Sequence, residues 1–247
     1  MLRILATIFA ALLGLAFGSF LNVCLSRWPE GESVVHPRSH CRSCSRTLNW
    51  WENLPLLSWL TLRGRCRTCS TPISIRYPLV EAAVAALWAL LVWYSTEDVF
   101  AFDVPAHLRA LNIAALVSGL VFLWILVALA ALDAEHLWLP DFLTYPGIAL
   151  GIALKAVFAQ FGFHPDAPVR PWHAFWVAVA SAAAAAAFIL FIRWLYWLLR
   201  RREGLGLGDA KLMALLAAWL GLPLALVALF LGVALGSLAA VALLIGR

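Results

Sequence analysis

The sequence predicts an all-α polytopic membrane protein with about seven transmembrane helices and a small zinc-binding cytoplasmic loop domain. Three observations carry this. Of 247 residues, 64% are hydrophobic and only 13% charged, with a mean hydropathy of +0.90. The apolar residues fall in runs near the roughly 20 residues that a bilayer-spanning helix needs. One polar segment, 27–76, gathers arginines and four of the five cysteines.

Taken in order, the apolar runs lie near 4–25, 79–95, 111–132, 142–161, 173–199 and 209–245. The first resembles a signal peptide, but it is long enough to span and no small-residue cleavage site follows Arg27-Trp28-Pro29, so it reads as a retained helix (1–26). The last is too long for one helix. Gly221-Leu222-Pro223 divides it into a short arm, 209–220, and a fuller one, 224–245. An arm of that length reaches only about 18 Å, so it tilts into a thin region or stops inside the bundle. No tandem repeat is visible, and the alanine run Ala182 to Ala187 suits a close-packed helix face. The organisation expected is therefore a first helix, a loop domain at 27–76, and a multi-helix core at 77–247.

Arginine placement sets the orientation. Arg27, Arg38, Arg42, Arg46, Arg63, Arg65, Arg67 and Arg76 crowd the loop, while Arg193 and Arg200 to Arg202 flank another, which makes both cytoplasmic. Segments 95–110 and 162–172, with Glu97, Asp98, Asp103 and Asp166, fall on the far side. The net charge of +5 follows from this pattern and gives no support to nucleic-acid binding. Trp50, Trp51, Trp59 and Trp138 are expected at the membrane interface.

Two carboxylates stand where apolar runs meet cytoplasmic segments. Asp133 closes LVSGLVFLWILVALAALD, and Asp209 follows the glycine-rich GLGLGD turn. Carboxylates at membrane depth are costly and are functional by default. Two at one depth can share a proton and split water across a peptide bond, one acting as base while the other donates to the carbonyl oxygen. The bland alternatives are an N-cap for Asp209 and a helix-end marker for Asp133. Gly206 and Gly208 would let backbone approach a substrate, and Lys211 either positions a leader or snorkels to the interface. Asp141 is expected to cap the next span, and Glu81 to complement the dipole at the start of its helix. Glu52, Glu135 and His136 are read either as lining a substrate entrance or as solvated loop positions.

Cys41, Cys44, Cys66 and Cys69 form two CxxC pairs separated by 21 residues, the spacing of two knuckles closing a tetrahedral thiolate site around Zn²⁺. Two disulfides are the competing arrangement, which a reducing cytoplasmic location disfavours. A 50-residue segment needs such a staple. With all four positions filled by protein the metal would be structural. Cys24 reads as a small buried hydrophobe.

Together, GSFLNVCLSRWP (18–29), HPRSHCRSC (36–44), WWENLPLLSWLTLRGRCRTC (50–69), ISIRYPLVE (73–81), ALDAEHLWLPD (131–141) and GLGLGDAKLMALLAAWLG (204–221) resemble the prepilin peptidase, or type IV leader peptidase, family. The resemblance implies catalytic aspartates at Asp133 and Asp209 and zinc-associated thiols at the four loop cysteines. It also implies cytoplasmic-side cleavage of a short basic leader from prepilins or pseudopilins in a bacterial inner membrane. In many members S-adenosylmethionine then methylates the new amino terminus. Many relatives carry methionine at the position of Leu207, a volume-conserving exchange. No GxGxxG loop for a cofactor appears in 27–76, so methyl transfer rests on the resemblance alone. Two other classes use the same features differently: a zinc-knuckle membrane scaffold, and a proton or metal transporter built on the two carboxylates.

Overall fold

A computed structural model describes residues 1–100, 105–161, 170–202 and 204–245. Asp103, Asp166 and the side chains of Glu97 and Asp98 lie outside the described residues. The helices are α1 (Leu2–Arg27), α2 (Leu57–Thr61), α3 (Arg76–Phe100), α4 (Ala106–His136), α5 (Asp141–Gln160), α6 (Pro171–Arg200), α7 (Leu207–Leu220) and α8 (Leu222–Ile245). Six of them are long and apolar enough to cross a membrane. The seventh, α7, has 14 residues and spans about 21 Å. Gly221, at φ +84°, makes the break between α7 and α8 that the sequence places there, in a left-handed conformation that favours glycine.

The chain divides into two compact units, Met1–Trp138 and Leu139–Arg247. In the first, α1 packs along α3, and both touch α4. The close approach comes from Gly14 and Gly18, a small-xxx-small pair on the buried face of α1. A methyl group at Gly14 would lie 2.7 Å from Cα of Ala85, and one at Gly18 would lie 2.7 Å from Cα of Glu81. Backbone, unlike a flexible side chain, cannot swing aside. Gly14→Ala and Gly18→Ala are therefore expected to destabilise this unit by about 1–3 kcal/mol each. Gly232→Ala in α8, which meets nothing within 4 Å, should not, and equilibrium unfolding in detergent distinguishes the two cases. Indole donors tie the same helices: Trp88 Nε1 donates to the Leu120 carbonyl (3.0 Å), and Trp124 Nε1 to that of Phe17 (3.2 Å).

In the second unit, α7 is surrounded by α5, α6 and α8. Its buried residues are small: Ala210, Ala214, Ala217 and Ala218, with Met213 and Leu215. The alanine run of α6 faces them as expected. Ala182 packs with Ala214 and Ala218, and Ala185 with Ala210, Met213 and Ala217. On α5 a second small-xxx-small pair, Gly147 and Gly151, accommodates Trp219, whose Nε1 donates to the Gly147 carbonyl at 2.9 Å.

Candidate functional site

The loop between α1 and α3 is built from two copies of one knuckle, so the chain does hold a short internal repeat: CRSCS and CRTCS stand 25 positions apart in register. In the first, Cys41 N–H donates to the Arg46 carbonyl (2.9 Å) and Ser45 N–H to that of Cys41 (2.8 Å). In the second, Cys66 N–H donates to the Thr71 carbonyl (2.9 Å) and Ser70 N–H to that of Cys66 (3.0 Å). Ser45 and Ser70 both sit at φ +56°, and each knuckle is closed by an antiparallel bridge, His40 with Thr47 and Arg65 with Pro72.

The knuckles bring the four thiols together, with all Sγ atoms within 4.8 Å of one another. Cys41 Sγ and Cys69 Sγ are 3.7 Å apart, close to the edge of about 3.8 Å that a tetrahedron with metal–sulfur distances of about 2.3 Å requires. This is far beyond a disulfide bond length, and all five cysteines are free. Four thiols in this geometry can hold a metal ion. The Thr71 hydroxyl, helped by its N–H, pulls the Cys69 thiol down to about 6, toward the thiolate that a metal needs. Cys24 is buried in α1 and takes no part in this cluster.

Around the thiols the loop has a polar core of its own. Arg46 grips Glu52 through two hydrogen bonds (2.6 and 3.0 Å), and Glu52 also accepts from the Asn49 N–H at 2.8 Å. Glu52 is buried, so neither reading of it as a solvated or entrance residue holds. The Arg46 guanidinium, aided by the Asn49 N–H, keeps its carboxyl below the ordinary 4.5. A carboxyl lowered in the folded state contributes stability above its unfolded value, and that contribution is lost as pH falls through the folded value. The stability gap between the wild type and Glu52→Gln should thus be constant near neutrality and shrink below about pH 4.5. Proteolysis rates of the loop across that range measure it.

Two of the tryptophans expected at the membrane interface belong to this core. Trp59 donates to the Ile73 carbonyl (3.2 Å), and the Trp51 ring lies 5.0 Å from the Arg67 guanidinium; of the three tryptophans in the loop only Trp50 is strongly exposed. Arg27 is buried at the end of α1 and donates to the carbonyls of Ser33 (2.7 Å) and Pro37 (2.6 Å), anchoring the loop. Glu81 does not open its helix. It lies inside α3, buried, and accepts the Leu56 N–H at 2.8 Å.

Asp133 lies in the last turn of α4, with its carbonyl taken by the N–H of Leu137, a left-handed cap at φ +49°. Its carboxylate is exposed, and among the described residues nothing pairs with it. Nearby, Glu135 is ion-paired with Arg76, and His136 Nε2 is 3.8 Å from the Glu135 carboxylate. An anion near a helix C-terminus is disfavoured by the macrodipole.

Asp209 is in the first turn of α7, where Oδ2 accepts the N–H of Gly206 at 2.9 Å. Glycine has no side chain to reciprocate, so half of a capping box is made. Asp209 is thus not the N-cap, which is Gly206, but the third helical residue reaching back to it, and Oδ1 is left without a hydrogen bond among the described residues. Gly206 is extended (φ −77°, ψ 158°) and needs no glycine-only conformation. Gly208 is where bulk matters, since a methyl there would lie 3.0 Å from Leu139 Cδ1. Lys211 forms an ion pair with Asp141 and lies 5.3 Å from the Tyr145 ring. Asp141 makes no side-chain cap; it holds this lysine instead.

Fold and sites define a multi-pass helical membrane protein that carries a four-thiol double-knuckle domain after its first helix. Residues 12–95 match the bacterial peptidase A24 N-terminal domain, and residues 120–241 match the type IV leader peptidase family. Relatives described as prepilin leader peptidase/N-methyltransferase occur in Myxococcus xanthus (38% identity over 87% of this chain and 56% of the relative) and Klebsiella pneumoniae (39%, 86% and 84%). A third, in Pseudomonas putida, is 35% identical over 95% of this chain and 80% of the relative. No solved structure matches the chain. The chain belongs to the type IV leader peptidase family.

Proposed function

We propose that this protein is a membrane-embedded aspartic endopeptidase of a bacterial inner membrane, which removes the short basic leader of prepilins or pseudopilins and then methylates the new amino terminus with S-adenosylmethionine. Asp133 and Asp209 are the catalytic carboxylates. One, ionised, takes a proton from the attacking water; the other, protonated, donates to the scissile carbonyl oxygen. The observation that carries this reading is the Asp133 carboxylate, unpartnered among the described residues at the disfavoured end of a long apolar helix. Family membership supplies the chemistry it would perform.

Gly206 and Gly208 keep side chains out of the turn before Asp209, and the Lys211–Asp141 pair fixes that end of α7 against α5. The substrate already carries an apolar helix, so it enters from the lipid. Unwinding near its cleavage-site glycine exposes a carbonyl carbon that a helix would bury in its hydrogen-bond ladder. Residues 77–247 form the peptidase core, and 27–76 the metal-binding domain. Cys41, Cys44, Cys66 and Cys69 would hold Zn²⁺, a closed structural site that cross-links the two knuckles.

The test is incubation of purified protein with a prepilin in liposomes, reading the new amino terminus by mass spectrometry. A cut after the leader glycine, with the mature end one methylene heavier when S-adenosylmethionine is supplied, is the expected result. Intact prepilin sinks the peptidase reading, and a cut but unmethylated end sinks only the methyl transfer.

A further inference from the structure

A cavity of about 480 Å³ lies inside the first unit, between the knuckles and the adjoining ends of α1 and α3. Its size is that of a pocket for a nucleoside-sized ligand. Ser19, Asn22, Trp59, Tyr77 and Glu81 are among the residues that line it. Glu81 is 6% exposed, and among the described residues no basic side chain forms an ion pair with it. It accepts the Leu56 N–H, and the Ser19 hydroxyl and Asn22 amide face the same carboxylate. Asn22 is 1% exposed; its Nδ2 donates to the Tyr77 carbonyl at 2.9 Å, while its Oδ1 has no partner among the described residues.

A buried carboxylate without a counter-charge and an orphaned amide oxygen beside it are each costly, and both are acceptors. The ligand that relieves both is a cation bearing N–H groups. The four arginines on the cavity wall do not serve Glu81, because each is engaged elsewhere. Arg27 holds the Ser33 and Pro37 carbonyls, Arg42 pairs with Glu30 and Glu32, Arg46 pairs with Glu52, and Arg67 lies over the Trp51 ring. Trp59 adds an aromatic wall, whose face attracts positive charge.

We propose that this cavity binds the adenosyl sulfonium methyl donor, with the ammonium group of its amino-acid arm on Glu81 and Asn22 Oδ1 and Trp59 beside the cationic part. The assignment rests on the methyl-transfer reading above and names the site for it. The four-thiol cluster borders the cavity through Cys41 and Cys66, so metal binding shapes one wall.

Equilibrium dialysis of radiolabelled S-adenosylmethionine against the full-length protein in detergent tests the site without any turnover. Glu81→Gln and Asn22→Leu should weaken binding at least tenfold, with metal content at the wild-type level as the check that the unit is folded. Equal affinity in folded variants overturns the site. Should either variant misfold, ultraviolet cross-linking of the labelled donor to the wild type decides. Label on peptides within 19–81 supports the cavity, and label confined elsewhere overturns it. A wild type that binds no donor overturns the methyl-transfer reading together with its site, an outcome separate from binding that the variants leave intact.

Discussion

Asp133→Asn and Asp209→Asn should each lower prepilin cleavage by about 10³-fold or more, because neither amide can exchange the proton that a shared acid–base pair must move. The structure makes these unusually clean tests, since neither change should unfold the protein. In Asp209→Asn the amide oxygen can still accept the Gly206 N–H that Asp209 holds at 2.9 Å, and the loss of an anion from the first turn of α7 costs only about 0.3–1 kcal/mol. At Asp133 the substitution removes an anion from the C-terminal turn of α4, where the helix dipole penalises it by about 0.3–1 kcal/mol. The expected signature is thus two folded proteins that no longer cut, Asp133→Asn slightly more stable than wild type and Asp209→Asn slightly less. Rates from the mass-spectrometric assay, set against unfolding midpoints of the same samples, would reveal it. Variants that cut like wild type would reduce both aspartates to helix-end residues and remove the basis for an aspartic mechanism.

The second large effect concerns the thiols. Removing metal with a strong chelator, or replacing Cys41 or Cys69 by serine, should unfold the knuckle domain outright. Structural Zn²⁺ sites contribute about 10–16 kcal/mol of apparent free energy in small domains, more than a segment of this size holds by burial. Native mass spectrometry should find one metal per wild-type chain and none in those variants, while Cys24→Ser, altering the buried cysteine of α1, keeps its metal. Rapid proteolysis within 27–76 should accompany the loss. Full metal content after Cys69→Ser would refute the four-thiol site.

Much of this architecture was legible because bilayer spans are declared by local composition. The break at Gly221 and the short α7 followed from a run too long for one helix and a Gly-Leu-Pro interruption. The thiol cluster followed from spacing alone. What hydropathy conceals is which polar residue meets which. Lys211 and Asp141 are 70 positions apart, and Glu81 meets the Leu56 N–H across 25, so no local pattern distinguishes a snorkelling lysine or a dipole acid from a tertiary partner. Glu52 and Arg46, only six apart, escaped because a charged residue in a polar loop gives no sign of burial. The Gly14/Gly18 and Gly147/Gly151 pairs could have been found as small-xxx-small patterns in apolar runs, and Glu81 as an acid inside a span. The internal knuckle repeat was hidden by its shortness, five residues with one Ser/Thr exchange.

The double knuckle also alters how far the chain must search before its first two long helices meet. Between Arg27 and Arg76 runs a tether of roughly 50 residues; clamping Cys41 to Cys69 shortens the effective path to roughly 20, which lowers the closure entropy by about 0.8 kcal/mol at 25 °C. That figure is small beside the metal's own binding free energy, but it acts on a different object. It falls on the encounter of α1 with α3, whose glycine face tolerates no looser fit. An ion bound there would thereby raise the local concentration of one membrane helix around the other, coupling metal supply to assembly within the lipid.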